Sequence, residues 1–190
     1  VNLRNRFWQI LLILSTLAFS WLGMMAVHEA GHVVHLLATG GSIEQLTLHP
    51  LKLSHTLPGA NPQPLVTVVG GPLWGVLLPL LVWWGAWRVA PTRSYLAAFF
   101  AGFCLIANGA YLVGDAFLQG GDGREFVLHG VPPWALIAAG LPAIGVGLAV
   151  WNGLGPDFGL GESQGSVNRA DGLAMFVITT LLVCAELVCA

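Results

Sequence analysis

His28, Glu29 and His32 lie within MMAVHEAGHVVHLLATGG, the stretch from Met24 to Gly41, and form the pattern HExxH. On a helix, positions four apart share one face, so the two imidazoles converge on a single point. Neutral imidazole is a good zinc donor. A glutamate beside such a ligand can take a proton from an attacking water and pass it to a leaving amine, while zinc lowers the pKa of the water it binds to about 7. That chemistry is peptide hydrolysis. With six His and nine acidic residues in 190, a chance match to this pattern is expected only about 0.01 times. Two competing readings explain less. Histidines that bond neighbouring helices account for His28 and His32 but leave the spacing unexplained. Histidines one turn apart on one helix cannot bind opposite faces of a haem, and haem gives Glu29 no role. His35, one turn further on, is expected to pack or hydrogen-bond rather than to bind metal.

The element that must carry these groups is apolar. An unpaired ionisable group at the centre of a bilayer costs about 2.5 kcal/mol or more, so the triad calls for a compensating partner, and a metal ion is one. The whole chain shares this character: 56% of its residues are hydrophobic and 8% charged, and mean hydropathy is +0.77. Ordinary soluble domains carry about a quarter charged residues. Five apolar segments stand out, at Phe7–Thr39, Leu65–Ala90, Tyr95–Leu118, Trp134–Trp151 and Gly172–Cys189, each long enough to cross a bilayer as a helix. The expected fold is therefore an all-α polytopic membrane protein of about five spans. The first segment is too long for a signal peptide and has no small-residue cleavage site, so a retained span is expected. Trp8, Trp83, Trp84, Trp87, Trp134 and Trp151 sit near predicted span ends, as interfacial aromatic belts do. No basic tract suggests nucleic acid. Cys104, Cys184 and Cys189 are odd in number, lack a CxxC pair and read as small core residues.

Five spans put Arg4, Arg6, Arg88, Arg93 and Arg169 on one side and Lys52 and Arg124 on the other, which favours a cytoplasmic N-terminus. A zinc site with three protein ligands needs one more group beyond His28 and His32. Asp115 and Asp122 follow the third span, which runs in the same direction as the first, whereas Asp171 opens the fifth span on the opposite side. Topology alone excludes Asp171. Between the first two spans, Gly40 to Pro64 breaks the helical pattern, and QLTLHPLKLSHTL alternates apolar and polar residues around Pro50. Two short strands at a membrane edge fit this pattern, and such an edge can pair with an extended peptide; a polar loop on the bilayer surface fits it as well.

Taken together, the residues resemble the site-2 protease type of intramembrane zinc metalloprotease. HEAGH in an early span, GGSIEQL after it, GGPLWG at Gly70–Gly75 and an Asn preceding an Asp-Gly pair carry the likeness, over roughly Trp21 to Gly130. The resemblance implies a metalloprotease core in residues 1–130, with 131–190 adding two further transmembrane helices and no separate soluble domain. It implies one zinc ion held by His28, His32 and an Asp, with Glu29 as the catalytic residue. The family's third ligand is an Asp followed by Gly. Asp122-Gly123 keeps that dipeptide but stands fourteen residues after Asn108; Asp115 stands seven after it, near the family spacing, without the glycine. Asp122 is favoured because Gly120, Gly121 and Gly123 form a loop free to bring its carboxylate to a metal, and Asp115 would then be a supporting carboxylate. Gly70, Gly71 and Pro72 are expected against the metal-binding helix, where small residues permit close approach. Asn108 resembles the family Asn that holds a substrate backbone, and equally suits a bond to a neighbouring helix.

The function implied is hydrolysis of peptide bonds in or near the transmembrane segments of other membrane proteins, in the membrane of a bacterial cell. Its partners would be a transmembrane substrate and lipid. A silent relative that binds membrane proteins without cutting them would have lost Glu29 or a ligand. A small transporter would carry ionisable groups in several spans.

Overall fold

Thirty-six residues without a proline form α1, Leu3–Ala38. At 1.5 Å per residue this helix is about 54 Å long, well beyond the roughly 30 Å hydrocarbon core of a bilayer. It stops where the Thr39 hydroxyl donates to the carbonyls of His35 and Leu36 and Gly40 turns the chain at φ +78°, a left-handed position that favours glycine. The computed structural model describes residues 2–118 and 120–188. Cys189 falls outside them.

After α1 come two strands, β1 (Ile43–Thr47) and β2 (His55–Pro58). They pair antiparallel, Thr47 opposite His55 and Leu46 opposite Thr56, with an irregularity between Ile43 and Gln45. Of the two readings of this segment, the strand pair is the one adopted. Next are α2 (Pro64–Val89), α3 (Ser94–Leu118), the short α4 (Gly121–Leu128), α5 (Pro133–Trp151) and α6 (Arg169–Val188). Both α2 and α5 start on a proline, whose missing N–H costs nothing in a first turn. Five of these helices, all but α4, are long and apolar enough to cross a membrane. Large apolar side chains on their outer faces, including Leu14, Leu81, Trp84, Val146 and Leu181, are exposed, while Gln9, Ser15, Thr16, Ser20 and Asn108 are buried. Apolar side chains outside and polar ones within is the arrangement lipid favours. The chain is a multi-pass membrane protein.

Packing fixes the direction of each helix. Leu12 clusters with Tyr95, Gly23 faces Phe100 and His28 bonds Asn108, so α1 and α3 run in parallel. Gly31 meets Gly70 and His35 bonds the Val66 carbonyl, so α2 returns antiparallel to α1. Antiparallel α5 lies on α3, with Gly109 against Gly140 and Gly102 against Gly147 and Trp151. Small residues let these backbones approach closely. Helix α6 lies along α1, with the Thr179 hydroxyl donating to the Ser15 carbonyl. At its start Asp171 takes bonds from the Tyr95 hydroxyl at 3.0 Å and the Arg93 guanidinium at 3.1 Å. Asp171 thus lies at the end of the bundle remote from His28 and His32, as the threading requires.

One expectation is corrected. The glycine-rich stretch around Asp122 is the first turn of α4 rather than a loop. Gly121 and Gly123 within it disfavour a helix by roughly 1 kcal/mol each, so tertiary contacts must favour it. The Asp115 carboxylate accepts from the Gly123 N–H at 2.8 Å and so caps α4 from α3. It satisfies an orphan donor and places a negative charge at a helix N-terminus, where the dipole favours it.

Candidate metal centre

Helix α1 presents His28 and His32 on one face, both buried, as a four-residue spacing dictates. Their Nε2 atoms lie 3.1 Å apart. Asp122, brought in by α4, places Oδ2 at 2.9 Å from His28 Nε2 and 3.2 Å from His32 Nε2. These three donors form a group able to hold a metal ion. With zinc bonds of about 2.0–2.1 Å, the ligands of a tetrahedron stand about 3.3 Å apart. The observed triangle falls within a few tenths of an ångström of that.

The surrounding hydrogen bonds decide which atoms face the centre. Asn108 donates its amide N–H groups to the carbonyls of Cys104 at 2.9 Å and Gly75 at 3.3 Å. That orientation turns Oδ1 toward His28 Nδ1, 2.7 Å away, so Nδ1 is the donor there. His32 Nδ1 likewise faces the Thr67 carbonyl at 2.9 Å, which can only accept. With both protons on Nδ1, the neutral rings turn bare Nε2 lone pairs toward each other and toward a carboxylate. Three acceptors about 3 Å apart repel unless a cation sits among them. One added proton satisfies a single edge of the triangle, whereas a divalent ion satisfies all three. Outer partners that fix the tautomer and ring orientation are the usual companions of ligating histidines.

The glycines of GGPLWG each leave room for a part of this site. The Gly70 backbone lies on the Gly31 backbone, and a side chain on either would overlap the other helix. A Cβ on Gly71 would run into His32 Nε2 and stand 2.7 Å from His28 Nε2. A Cβ on Gly75 would collide with the Asn108 amide. Pro72 is buried within α2 beside them. The dipeptide Asp122-Gly123 has a similar cause. Only Gly121 of its three neighbouring glycines takes a positive φ, +47°, whereas Gly123 is required by contact, since a Cβ there would overlap Asp115.

Glu29 is buried on the same helix, and the Thr56 hydroxyl of β2 donates to its Oε2 at 2.7 Å. It opens, with His32 and Asp122, into a cavity of about 410 Å³ walled by β2, α4 and the start of α2. Thr56 had no motif to announce it; its role follows from the hairpin folding back over α1. Tyr111 also lines this cavity. Its ring meets His28 edge to face, centroids 5.7 Å apart, and its hydroxyl lies 3.4 Å from the Asp122 N–H. Its place one turn after Asn108 and one before Asp115 on α3 was the available signal. Both ring nitrogens of His35 are engaged away from the triangle: Nδ1 bonds the Val66 carbonyl and Nε2 accepts from the Trp74 indole at 3.2 Å.

The two aspartates differ in what they touch, and this separates them experimentally. Asp122→Ala removes a donor from the triangle and should lower zinc affinity by about 10³-fold or more. Asp115→Ala loosens only the turn that carries Asp122 and should cost about 10 to 100-fold, the usual range for an outer partner. Competition with a chelator of graded concentration measures both; loss of zinc first from the Asp115 variant would reverse the assignment. No family model, curated protein or solved structure matches the chain, so the donor triangle, its fixed tautomers and the adjoining Glu29 are what bear on function.

Proposed function

We propose that this protein is an intramembrane zinc peptidase of the site-2 protease type, acting in a bacterial cytoplasmic membrane on transmembrane segments of other proteins. The observation that carries the reading is the juxtaposition of a metal-holding triangle, His28, His32 and Asp122, with a buried carboxylate, Glu29, in one cavity at one end of a membrane bundle. Zinc bound there would supply a Lewis acid that polarises the scissile carbonyl and acidifies water.

The chain's own residues perform the rest. Glu29, steadied by Thr56, takes a proton from the attacking water and delivers it to the leaving nitrogen as the C–N bond breaks. Asn108 and the Thr67 carbonyl hold the imidazoles in register. A transmembrane helix hides its peptide groups in its own hydrogen bonds and must unwind before it can be cut. β2 lines the cavity and pairs with β1 on one side only, so its other edge offers backbone groups to which an unwound segment can add as a strand.

Reconstitution tests this reading. Proteoliposomes holding the zinc-loaded protein and a single-span reporter, its helix interrupted by Gly and Pro, should yield cleaved reporter. Cleavage should stop with 1,10-phenanthroline and return with added zinc. A reporter left intact by the zinc-loaded protein, or cut equally well under chelation, would overturn the peptidase reading.

A further inference from the structure

Hydrolysis of an amide creates a negative charge on the carbonyl oxygen; a bound zinc would offset part of it, and no hydrogen-bond donor described so far addresses the rest. As the water oxygen bonds to the carbonyl carbon, the C=O π pair moves onto oxygen. It returns to re-form C=O when the C–N bond breaks and the amine leaves with the proton that Glu29 carries. A hydrogen-bond donor fixed where that charge develops is worth about 10² to 10³ in rate. No Lys or Arg lines the cavity, the Thr56 hydroxyl is engaged with Glu29, and the Thr67 hydroxyl is engaged with Asn61.

Of the other donors that line it, Ser54, His55, Asn61 and Tyr111, Tyr111 is packed against His28 and bonded at Asp122. Its ring is set by the edge-to-face contact with His28. Its hydroxyl is pressed against Gly121, where a Cβ would overlap it. The Asp122 N–H points at the hydroxyl oxygen from 3.4 Å, so that oxygen acts as acceptor, and among the described residues nothing accepts the hydroxyl proton. A donor with a free proton thus stands beside two members of the metal triangle and in the same cavity as Glu29.

We propose that Tyr111 is a catalytic residue, whose hydroxyl donates a hydrogen bond to the oxygen of the scissile carbonyl as that oxygen becomes anionic. It keeps its proton throughout. This rests on the peptidase reading and adds to it the group that stabilises the transition state.

The test compares two zinc-binding probes on the purified, zinc-loaded protein and its Tyr111→Phe variant. A phosphinic pseudopeptide of alanine and leucine presents a tetrahedral centre with anionic oxygens, as the transition state does, whereas acetohydroxamate binds zinc without one. Transition-state mimicry makes the first sensitive to a lost donor and the second not. Tyr111→Phe should keep full zinc occupancy, bind acetohydroxamate within about 2-fold of wild type, and bind the phosphinic peptide about 10²-fold more weakly. Equal phosphinic affinity in the two proteins would overturn the proposal. So would loss of zinc from Tyr111→Phe, which would make the hydroxyl a support for Asp122 instead. A wild-type protein that holds zinc yet binds neither probe would remove the peptidase reading and this proposal with it.

Discussion

Glu29→Gln is expected to retain one zinc per chain and to lose reporter cleavage by about 10³-fold, within the range for a removed general acid–base group. The amide is nearly isosteric with the carboxylate and can still engage the Thr56 hydroxyl, now 2.7 Å from Oε2, so the hairpin should keep its place over α1. Glu29 contributes no atom to the donor triangle, so metal content should not change. What disappears is the base that accepts the water's proton and the acid that returns it to nitrogen. Metal analysis alongside cleavage separates these roles. A variant that turned over normally would remove Glu29 from the chemistry, and one that lost zinc would make it a ligand.

His28→Ala is expected to abolish stoichiometric zinc binding, and His32→Ala likewise. Apparent zinc affinities at neutral pH correspond to about 10–16 kcal/mol. Losing one of three protein donors removes about a third of that, roughly 3–5 kcal/mol, or about 10²- to 10⁴-fold in affinity. His28 carries a second consequence, because Asn108 Oδ1 loses the donor it faces at 2.7 Å. A buried amide left without its partner costs about 1–3 kcal/mol more. The His28 variant should therefore melt lower than the His32 variant, whose Thr67 carbonyl keeps its place in the helical turn of α2. Full zinc occupancy in either would exclude the triangle as the binding site.

Much of this architecture is legible in the residues. Apolar length alone marks the five spans, and each of these five helices begins within a few residues of the apolar run that announced it. The alternation around Pro50 carries the hairpin. HEAGH carries the first two donors because helical spacing converts directly into geometry. What stays hidden depends on contacts between distant segments. Helix α4 reads as loop because its glycines are poor helix formers, and only Asp115, capping it from α3, reverses that preference. Asn108 is visible as a polar residue in a span, but its partner His28 lies 80 positions away. Thr56 and Tyr111 belong to no motif, and their nearness to Glu29 and to Asp122 arises from the fold. The glycines of GGPLWG are conspicuous, yet their cause, room for two imidazole nitrogens and one amide, emerges only when α1, α2 and α3 are packed together.

The central claim is that two imidazoles and one carboxylate hold a catalytic zinc. Zinc K-edge X-ray absorption on the purified wild-type protein measures this most directly. The expected spectrum shows one zinc per chain with two nitrogen donors of imidazole type and oxygen donors completing a four-coordinate shell at about 2.0–2.1 Å, without sulfur. Protein that binds no zinc, or a shell containing sulfur from Cys104 or Cys184, would contradict it.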